Sequence, residues 1–301
     1  MDECINVLQV KNRDIIIKRV SEVTHMKKMS ILMLAFVFFL AGCSLEDAAD
    51  HITREVSKWD KESPNETFIP KNLKVVSIGD SLTQGVGDST KKGGYVPYLE
   101  KSLETLDGVK DAQFHNYGVR GNRTDQLLKR LKKEDVKSSI KESDLVMITI
   151  GGNDVMKIFR ENLSHLKLEV FQEEKRQYQL RLQEIIETIR SYNPDAGIVL
   201  VGLYNPFNTW FSDIDEVNQV IHNWNEASIQ ILTGYDKTLF VKIEDLFIDA
   251  GDTLLYEDYF HPNDEGYKLI ADRMFTDLAK GETLATLTDR KDSVEEEEQP
   301  S

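Results

Sequence analysis

Five short apolar segments, separated by stretches with helical periodicity, constrain the fold of this chain more than any other feature. They are Leu73 to Ile78, Gln113 to Tyr117, Leu145 to Ile150, Ile198 to Leu203 and Leu239 to Ile243. Each has the length of a buried strand, and strands that alternate with helical patterns are typical of a parallel sheet. The sequence therefore predicts an α/β fold around a five-stranded parallel sheet.

Apolar residues that recur at intervals of three and four indicate the helices between these strands. One helical face runs from Tyr178 to Ile189 and ends before Pro194, and a second runs from Val217 to Ile231. A last helix begins at Pro262, where the acidic residues that follow lie near the positive end of the helix dipole. We expect the apolar faces of all three helices to pack in the core.

The first 42 residues have the order of an export signal. Lys27 and Lys28 precede an apolar run from Ile31 to Leu40, and small residues follow it up to Cys43. The run is short for a membrane span, although a buried or anchoring helix is an open alternative. Leu40-Ala41-Gly42-Cys43 resembles the lipobox of bacterial lipoproteins, which implies cleavage before Cys43 and lipidation of its thiol. Met26 is an alternative start.

The remaining chain divides into three parts. We predict that residues 43–71 are a lipidated N-terminus and linker, that residues 72–282 form the folded domain, and that residues 283–301 are an acidic disordered tail. The formal net charge of −15 is unfavourable for binding to nucleic acid, which relies on clustered Lys and Arg. We expect the lipid on Cys43 to provide the contact with the membrane.

Small polar segments follow the first three predicted strands. Ser81 follows the first strand, Gly118 to Gly121 the second, and Gly151 to Asp154 the third. A doubly wound sheet forms its ligand crevice at the carboxyl ends of its strands. We therefore expect these three segments to converge.

A serine nucleophile also requires a base with a pKa near the working pH, and histidine is the natural choice. The chain has six histidines, and His261 differs from the rest because Asp258 stands three residues before it in a loop. Asp258 would fix the tautomer of His261 and stabilise the imidazolium. Such a pair alone indicates a loop hydrogen bond, but together with the other segments it favours catalysis.

Four motifs occur in order along the chain: Gly79-Asp80-Ser81-Leu82, Asn116-x-Gly118-x-x-Gly121, Gly151-Gly152-Asn153-Asp154 and Asp258-x-x-His261. Together they resemble the SGNH or GDSL hydrolase superfamily over roughly residues 73–280, and most closely its bacterial lipoprotein-type esterases and lipases. The resemblance implies a three-layer α/β/α flavodoxin-like fold and hydrolysis of esters or thioesters through an acyl-enzyme. It assigns catalysis to Ser81, Asp258 and His261, and the oxyanion hole to Ser81, Gly121 and Asn153.

Other residues near these motifs receive structural interpretations. Gly118 and Gly152 are predicted to form turns, and Asp80 and Asp154 to organise loops through hydrogen bonds to nearby backbone. The glycine-rich segment 85–94 lacks phosphate-loop spacing and is predicted to be a mobile loop beside Ser81.

Two aromatic stretches are candidates for the substrate pocket. Met156 and Phe159 follow Asn153 closely, and Phe207, Trp210 and Phe211 follow the fourth predicted strand. Both stretches lie at the level of the crevice, so they predict an apolar pocket for the acyl or alcohol part of the substrate. Packing against a neighbouring helix is an equally weighted alternative.

These features predict a serine esterase or lipase that is lipid-anchored on the extracytoplasmic face of the membrane. The site implies no metal and no cofactor, and its substrate is an ester of a lipid, a thioester or an O-acetylated glycan. An acyltransferase on the same site is an alternative, because only the acceptor would differ from water. A second alternative is a non-catalytic lipoprotein that binds envelope glycan or lipid in the crevice.

Overall fold

The computed structural model describes residues 70–161, 168–206, 215–248 and 251–288. The predicted signal, Cys43, most of the linker, and the aromatic residues Phe207, Trp210 and Phe211 lie outside these ranges. Within them, no helix combines the length and the apolar character needed to cross a bilayer.

Five strands and nine helices make up the described residues. The strands are β1 (Lys71–Gly79), β2 (Val109–Gly118), β3 (Leu145–Thr149), β4 (Gly197–Val201) and β5 (Thr238–Val241). The helices are α1 (Ser81–Gln84), α2 (Val96–Leu103), α3 (Thr124–Leu131), α4 (Glu134–Glu142), α5 (Gly152–Glu161), α6 (Leu168–Tyr192), α7 (Asp215–Leu232), α8 (Asp264–Ala279) and α9 (Thr283–Thr288). Two 3₁₀ turns, Glu244–Phe247 and Gly251–Leu254, lie between β5 and α8.

The strands form one parallel sheet in the order β2-β1-β3-β4-β5. This order confirms the predicted flavodoxin-like α/β fold, and its direction reverses between β1 and β3. In the register of the sheet, Gly79 at the end of β1 pairs with Gly118 of β2 and with Thr149 of β3. The segments that follow these three strands therefore emerge at one level of one edge.

Alternation along the strands divides the core into two halves. In β1, Val76 and Ile78 face one half, and Leu73 and Val75 face the other, because successive side chains of a strand point to opposite faces. The first half packs against α3 to α7, and the second against α2, α8 and α9. Two helical layers thus enclose the sheet, as the three-layer prediction requires.

The observed strand boundaries differ most from prediction at the edge strand β2. The pattern predicts residues 113–117, whereas the strand runs from Val109 to Gly118. Its first half carries Lys110 and Asp111, and β2 pairs only with β1 among the described strands. An edge strand is partly exposed to solvent and can therefore carry polar residues. These residues interrupt the apolar run, so the hydrophobicity pattern predicts only the second half of β2.

The C-terminal segment departs from the predicted disorder. Residues 283–288 form helix α9, and Leu287 is buried in the second half of the core. A side chain at Gly197, at the start of β4, would come within 2.8 Å of the Leu287 carbonyl oxygen. The prediction of disorder from residue 283 is therefore wrong for this helix, whereas residues 289–301 lie outside the described ranges.

Candidate active site

Ser81 lies at the first position of α1, directly after the turn that ends β1. Asp80 caps this short helix, because its Oδ1 accepts a hydrogen bond from the Leu82 backbone N–H at 3.1 Å. The Asp80 backbone N–H donates to the carbonyl of Thr149 at 3.0 Å, which ties the turn to β3. The backbone N–H of Ser81 has no intrahelical acceptor at this position and is free to serve a ligand.

The Asp80 carboxyl group is buried at the centre of a hydroxyl network. Thr149 Oγ1 donates to Asp80 Oδ1 at 2.9 Å and lies 2.8 Å from Thr83 Oγ1, which in turn lies 3.1 Å from the Tyr95 hydroxyl. Burial raises the pKa of Asp80 to about 7, and the nearby Asp154 adds to this effect. Asp80 therefore organises the turn as predicted, through contacts that reach well beyond the local backbone.

Asp258 and His261 form a hydrogen-bonded pair within one loop. His261 Nδ1 lies 2.6 Å from Asp258 Oδ2, while Asp258 Oδ1 accepts from the backbone N–H groups of Phe260 and His261 at 3.1 and 3.0 Å. Burial opposes ionisation of Asp258, but these hydrogen bonds together lower its pKa below the ordinary value. Since Nδ1 is engaged by the carboxylate, Nε2 is the nitrogen left to act on a substrate.

The backbone around this pair is fixed by further contacts. Tyr259 has a left-handed backbone with φ of 53°, and its N–H donates to the Tyr256 carbonyl at 2.8 Å. The Tyr204 hydroxyl donates to the Phe260 carbonyl at 2.6 Å, and the Phe260 ring meets the His261 ring edge-on at 5.0 Å. His261 itself is 6% exposed, so its imidazole is held in a largely enclosed position.

The predicted oxyanion residues follow β2 and β3. Gly121 has φ of +78°, and a side chain there would have no neighbour within 4 Å, so its peptide faces open space that a substrate could occupy. Asn153 lies in the first turn of α5, and its Nδ2 donates to the Asn122 carbonyl at 3.0 Å. The two predicted donors thus belong to adjoining segments.

Sequence reasoning missed Arg130, which holds the ends of β1 and β2 together. Its Nη1 donates to the Gly79 carbonyl at 3.1 Å and to Asn122 Oδ1 at 3.0 Å, and its Nη2 donates to the Tyr117 carbonyl. The sequence pattern predicts that Arg130 lies on the solvent-exposed face of its helix. Only the tertiary fold brings its guanidinium group to these carbonyl groups. No signal in the sequence distinguishes it from other helical arginines.

Asp154 fastens the start of α5 to the start of α3. Its carboxylate accepts from the backbone N–H and the hydroxyl of Thr124 at 3.0 and 2.6 Å, and Arg181 lies 3.3 Å away. These contacts fix the loop that carries Gly121 relative to the helix that carries Asn153. The prediction that Asp154 organises a loop agrees with this arrangement.

The structure corrects the interpretation of two predicted turns. A side chain at Gly118 would lie 2.0 Å from the Gln84 backbone nitrogen, so this glycine allows β2 to pack directly on α1. Gly152 begins α5, and a side chain there would meet only Leu203, at 3.9 Å. Close packing accounts for the first glycine, and the second is an ordinary helix position.

The predicted mobile loop at residues 85–94 is instead closely bonded around the buried Asp88. The Asp88 carboxylate accepts hydrogen bonds from the Thr90 backbone and hydroxyl and from the backbone N–H groups of Lys92, Gly93 and Gly94. Burial opposes ionisation of Asp88, but these donors together lower its pKa. The loop therefore has a fixed internal structure.

Two cavities share Asn153, Phe260 and His261 as lining residues and therefore adjoin each other. The first, called here the apolar cavity, is formed mainly by Ile150, Val201, Leu203, Tyr204 and Pro206, at the ends of β3 and β4. The second, called here the arginine cavity, is formed by Arg120, Gly121, Met156, Arg160 and Asp258. Asn153 and His261 therefore lie where two halves of a substrate would meet.

The structure supports the predicted pocket position for one residue, contradicts it for a second, and does not describe the other three. Met156 lines the arginine cavity. The Phe159 ring packs on Phe171 with centroids 4.9 Å apart and faces the core, so its assignment to the pocket is wrong. Phe171 belongs to α6, so the Phe159 ring fills the space between α5 and α6. Phe207, Trp210 and Phe211 lie outside the described residues, and their assignment stays a prediction.

The fold and the four segments at the carboxyl edge of the sheet define a serine hydrolase of the SGNH type. A model of the GDSL-like Lipase/Acylhydrolase family matches residues 77–269. The protein YpmR of Bacillus subtilis, which is described as uncharacterised, is 38% identical over 251 residues, covering 83% of this chain and 95% of YpmR. The chain therefore belongs to the GDSL-like lipase/acylhydrolase family, as the motifs predicted, and is a serine hydrolase that acts on esters.

Solved structures support the same fold. The lipase Lip_vut3 from a goat rumen metagenome has a TM-score of 0.62 at 23% identity, over 68% of this chain and 97% of its own. A single-residue mutant of Axe2, an acetyl-xylooligosaccharide esterase from Geobacillus stearothermophilus, has a TM-score of 0.54 at 23% identity, over 71% of this chain and 97% of its own. The central sheet and its covering helices are thus shared with both.

Proposed function

We propose that this protein hydrolyses carboxylic esters through an acyl intermediate on Ser81, with His261 as general base and Asp258 as its orienting carboxylate. The observation that carries the proposal is the 2.6 Å contact between His261 Nδ1 and Asp258 Oδ2, on the same crevice as the turn that presents Ser81. This contact engages Nδ1 and leaves Nε2 as the nitrogen that can accept the proton of the nucleophile.

In the first half of the reaction, Ser81 Oγ attacks the ester carbonyl carbon and its proton passes to His261 Nε2. The negative charge that develops on the carbonyl oxygen is stabilised by the backbone N–H groups of Ser81 and Gly121 and by the Asn153 amide. The imidazolium, stabilised by Asp258, then donates its proton to the leaving alcohol. In the second half, His261 deprotonates water, which attacks the acyl carbon; the bond to Ser81 Oγ then breaks, His261 returns the proton to Ser81 Oγ, and the acid is released.

A fluorophosphonate probe tests this assignment, because it reacts only with an activated serine. We expect the wild-type protein to be labelled and to release nitrophenol from a short-chain nitrophenyl ester. Ser81→Ala should lose both properties and retain its thermal transition. Ser191→Ala is the matched control, since the Ser191 hydroxyl is exposed on α6, where it donates to the Thr188 carbonyl of its own helix. Activity retained by Ser81→Ala would exclude the proposal.

The acyl part of the substrate is proposed to occupy the apolar cavity. Its wall is firmly held, because Tyr204 both donates to the Phe260 carbonyl and stacks on Phe247 with centroids 4.1 Å apart. The two fold relatives include a lipase and an acetyl-xylooligosaccharide esterase, so both long and short acyl groups are candidates. A chain-length series on the purified domain decides between them. A preference for acetyl favours an O-acetylated glycan, and a preference for long chains favours a lipid.

We also propose that the protein is anchored by a lipid on Cys43, outside the cytoplasm. Support comes from the lysines, the apolar run and the small residues that precede Cys43 in the sequence. Wild-type protein expressed in a Gram-positive host should fractionate with membranes and incorporate a labelled fatty acid. Cys43→Ser should remove the label and release the protein. Cys4, the other cysteine of the sequence, lies in the predicted signal that is cut off before Cys43, so Cys4→Ser should change neither. Equal membrane retention of wild type and Cys43→Ser would contradict a lipid anchor.

A further inference from the structure

The arginine cavity has a charge that the reaction itself does not require. Two of its residues, Arg120 and Arg160, are exposed cations beside the oxyanion residues Gly121 and Asn153. The whole chain carries a formal net charge of −15, so its average surface disfavours anions. A local pair of guanidinium groups at the catalytic crevice is therefore a specific feature of this site.

These two arginines also differ from the other arginines of the described ranges in their bonding. Of the six others, Arg123, Arg176, Arg181 and Arg273 bond carboxylates, and Arg130 and Arg190 donate through their Nη atoms to backbone carbonyls. Arg160 donates only its Nε, to the Met156 carbonyl at 3.2 Å, and the Arg120 guanidinium has no protein acceptor within the described ranges. Their Nη donors are available to a ligand.

The one carboxylate in the arginine cavity is already engaged. Asp258 accepts hydrogen bonds from His261 Nδ1 and from the backbone N–H groups of Phe260 and His261. Neither Arg120 nor Arg160 comes within 4.0 Å of a carboxylate oxygen in the part of the chain that the structure describes. Asp258 thus serves the histidine and leaves both arginines uncompensated.

We propose that Arg120 and Arg160 bind an anionic group, a phosphate or a carboxylate, on the alcohol part of the ester substrate. Guanidinium groups present planar sets of donors that suit both anions. The acyl part needs hydrocarbon walls, which the apolar cavity supplies, so the charged group is assigned to the adjoining arginine cavity, which shares Asn153 and His261 with it. The inference rests on the proposed function and specifies its substrate class.

Matched pairs of substrates that differ only in charge test this proposal. A short-chain monoacylglycerol and its 3-phosphate form the phosphate pair, and an O-acyl lactamide and the corresponding O-acyl lactate form the carboxylate pair. Release of the acid is measured for each compound. We expect kcat/KM to favour the anionic member of at least one pair by about tenfold at low salt, and the preference to shrink as ionic strength rises. The preferred pair identifies the anion.

Variants then connect the preference to the two arginines. R120Q/R160Q should bring the ratio within each pair close to one, mainly through KM, and R120K/R160K should retain part of the preference because it keeps the charge without the planar donors. Arg176→Gln is the control, because Arg176 is exposed on α6 and pairs with Glu173. It should leave the ratio unchanged. Circular dichroism checks that each variant is folded.

The outcomes separate this inference from the proposed function. If wild-type protein hydrolyses both members of each pair equally, or if R120Q/R160Q keeps the preference, the arginines do not select an anion, although the esterase assignment stands. A preference that falls equally in Arg176→Gln would also overturn the inference, since it would reflect only net charge. If no substrate is turned over and Ser81 is not labelled, the proposed function fails and the inference fails with it.

Discussion

Asp80 makes folding stability depend on pH in a way that one substitution can isolate. Burial raises its pKa from 3.8 to about 7 in the folded protein. A carboxyl group with a raised folded-state pKa stabilises the fold fully below its unfolded pKa, and this contribution is lost as the pH rises through the folded pKa. Between these two values, wild-type protein therefore loses stability as the pH rises, because the carboxyl group ionises in the unfolded chain while burial keeps it protonated in the folded protein.

Asp80→Asn removes this ionisation and keeps the shape of the neutral acid. Its Oδ1 can still accept from Leu82 N–H and from Thr149 Oγ1, the two bonds that the carboxyl makes through this atom. The loss in wild type amounts to about 1.4 kcal/mol per pH unit. The loss stops at the folded pKa of about 7, so only the two pH units above pH 5 contribute. From about pH 5 to about pH 8.5, the free energy of unfolding of Asp80→Asn should therefore rise by about 2.7 kcal/mol relative to wild type.

Urea unfolding of both proteins at the two pH values measures this change, and titrations shared by both proteins cancel in the difference. Asp88→Asn is the control with the opposite sign. The hydrogen bonds to Asp88 lower its pKa, so its contribution is complete at both pH values and is lost only in more acidic solution. That variant should be destabilised by about 1–3 kcal/mol at both pH values alike. A difference between Asp80→Asn and wild type that stays constant with pH would refute the reasoning.

Three further substitutions and one control variant test the site and its supports. Asp258→Asn should lower kcat by about 10³- to 10⁴-fold, because an amide no longer fixes the tautomer of His261. Ester hydrolysis and fluorophosphonate labelling should slow together. Labelling at the wild-type rate would contradict this role of Asp258. Asn153→Ala should lower kcat by about 10²- to 10³-fold with a smaller change in KM, whereas an effect confined to KM would remove Asn153 from the oxyanion hole. Gly118→Ala should lower the free energy of unfolding by about 3 kcal/mol or more, because its new methyl group would collide with the Gln84 backbone. Gly152→Ala, which has space, should stay within about 0.5 kcal/mol of wild type, and equal effects of the two alanines would refute the packing argument.

The sequence predicts those parts of the site that depend on local order along the chain. Ser81 follows a strand directly, and Asp258 and His261 share one loop, so the short motifs that contain them can be recognised together from their order along the chain. The fold itself was predicted for the same reason, because β3 and β4 are almost entirely apolar and β1 carries a short apolar segment from Leu73 to Ile78. Features of this kind can be predicted without knowledge of the tertiary contacts.

Residues that act across the fold could not be found in this way. Arg130 reaches the Gly79 carbonyl across 51 residues, and Thr149 reaches Asp80 across 69. Phe159 was misassigned because proximity to Asn153 in sequence says nothing about the side of α5 on which a ring lies. Helix α9 was missed because Leu287 is its single buried residue, and the neighbour that encloses it, the start of β4 at Gly197, is distant in sequence.

Asp80 and Asp258 show how one crevice sets two carboxyl groups in opposite states. Both carboxyl groups lie at the same crevice. Asp80 accepts hydrogen bonds from Leu82 N–H and Thr149 Oγ1 on one buried oxygen. Asp258 accepts hydrogen bonds from His261 Nδ1 and from two backbone N–H groups, and uses both of its oxygens. The pKa of the first is therefore raised by burial, and that of the second is lowered despite partial burial. In mildly acidic solution only Asp258 is charged, so it alone stabilises the His261 imidazolium that the reaction requires. The substitution of Asp80 should accordingly remove the loss of stability between pH 3.8 and about 7, while the orientation of His261 remains under the control of Asp258.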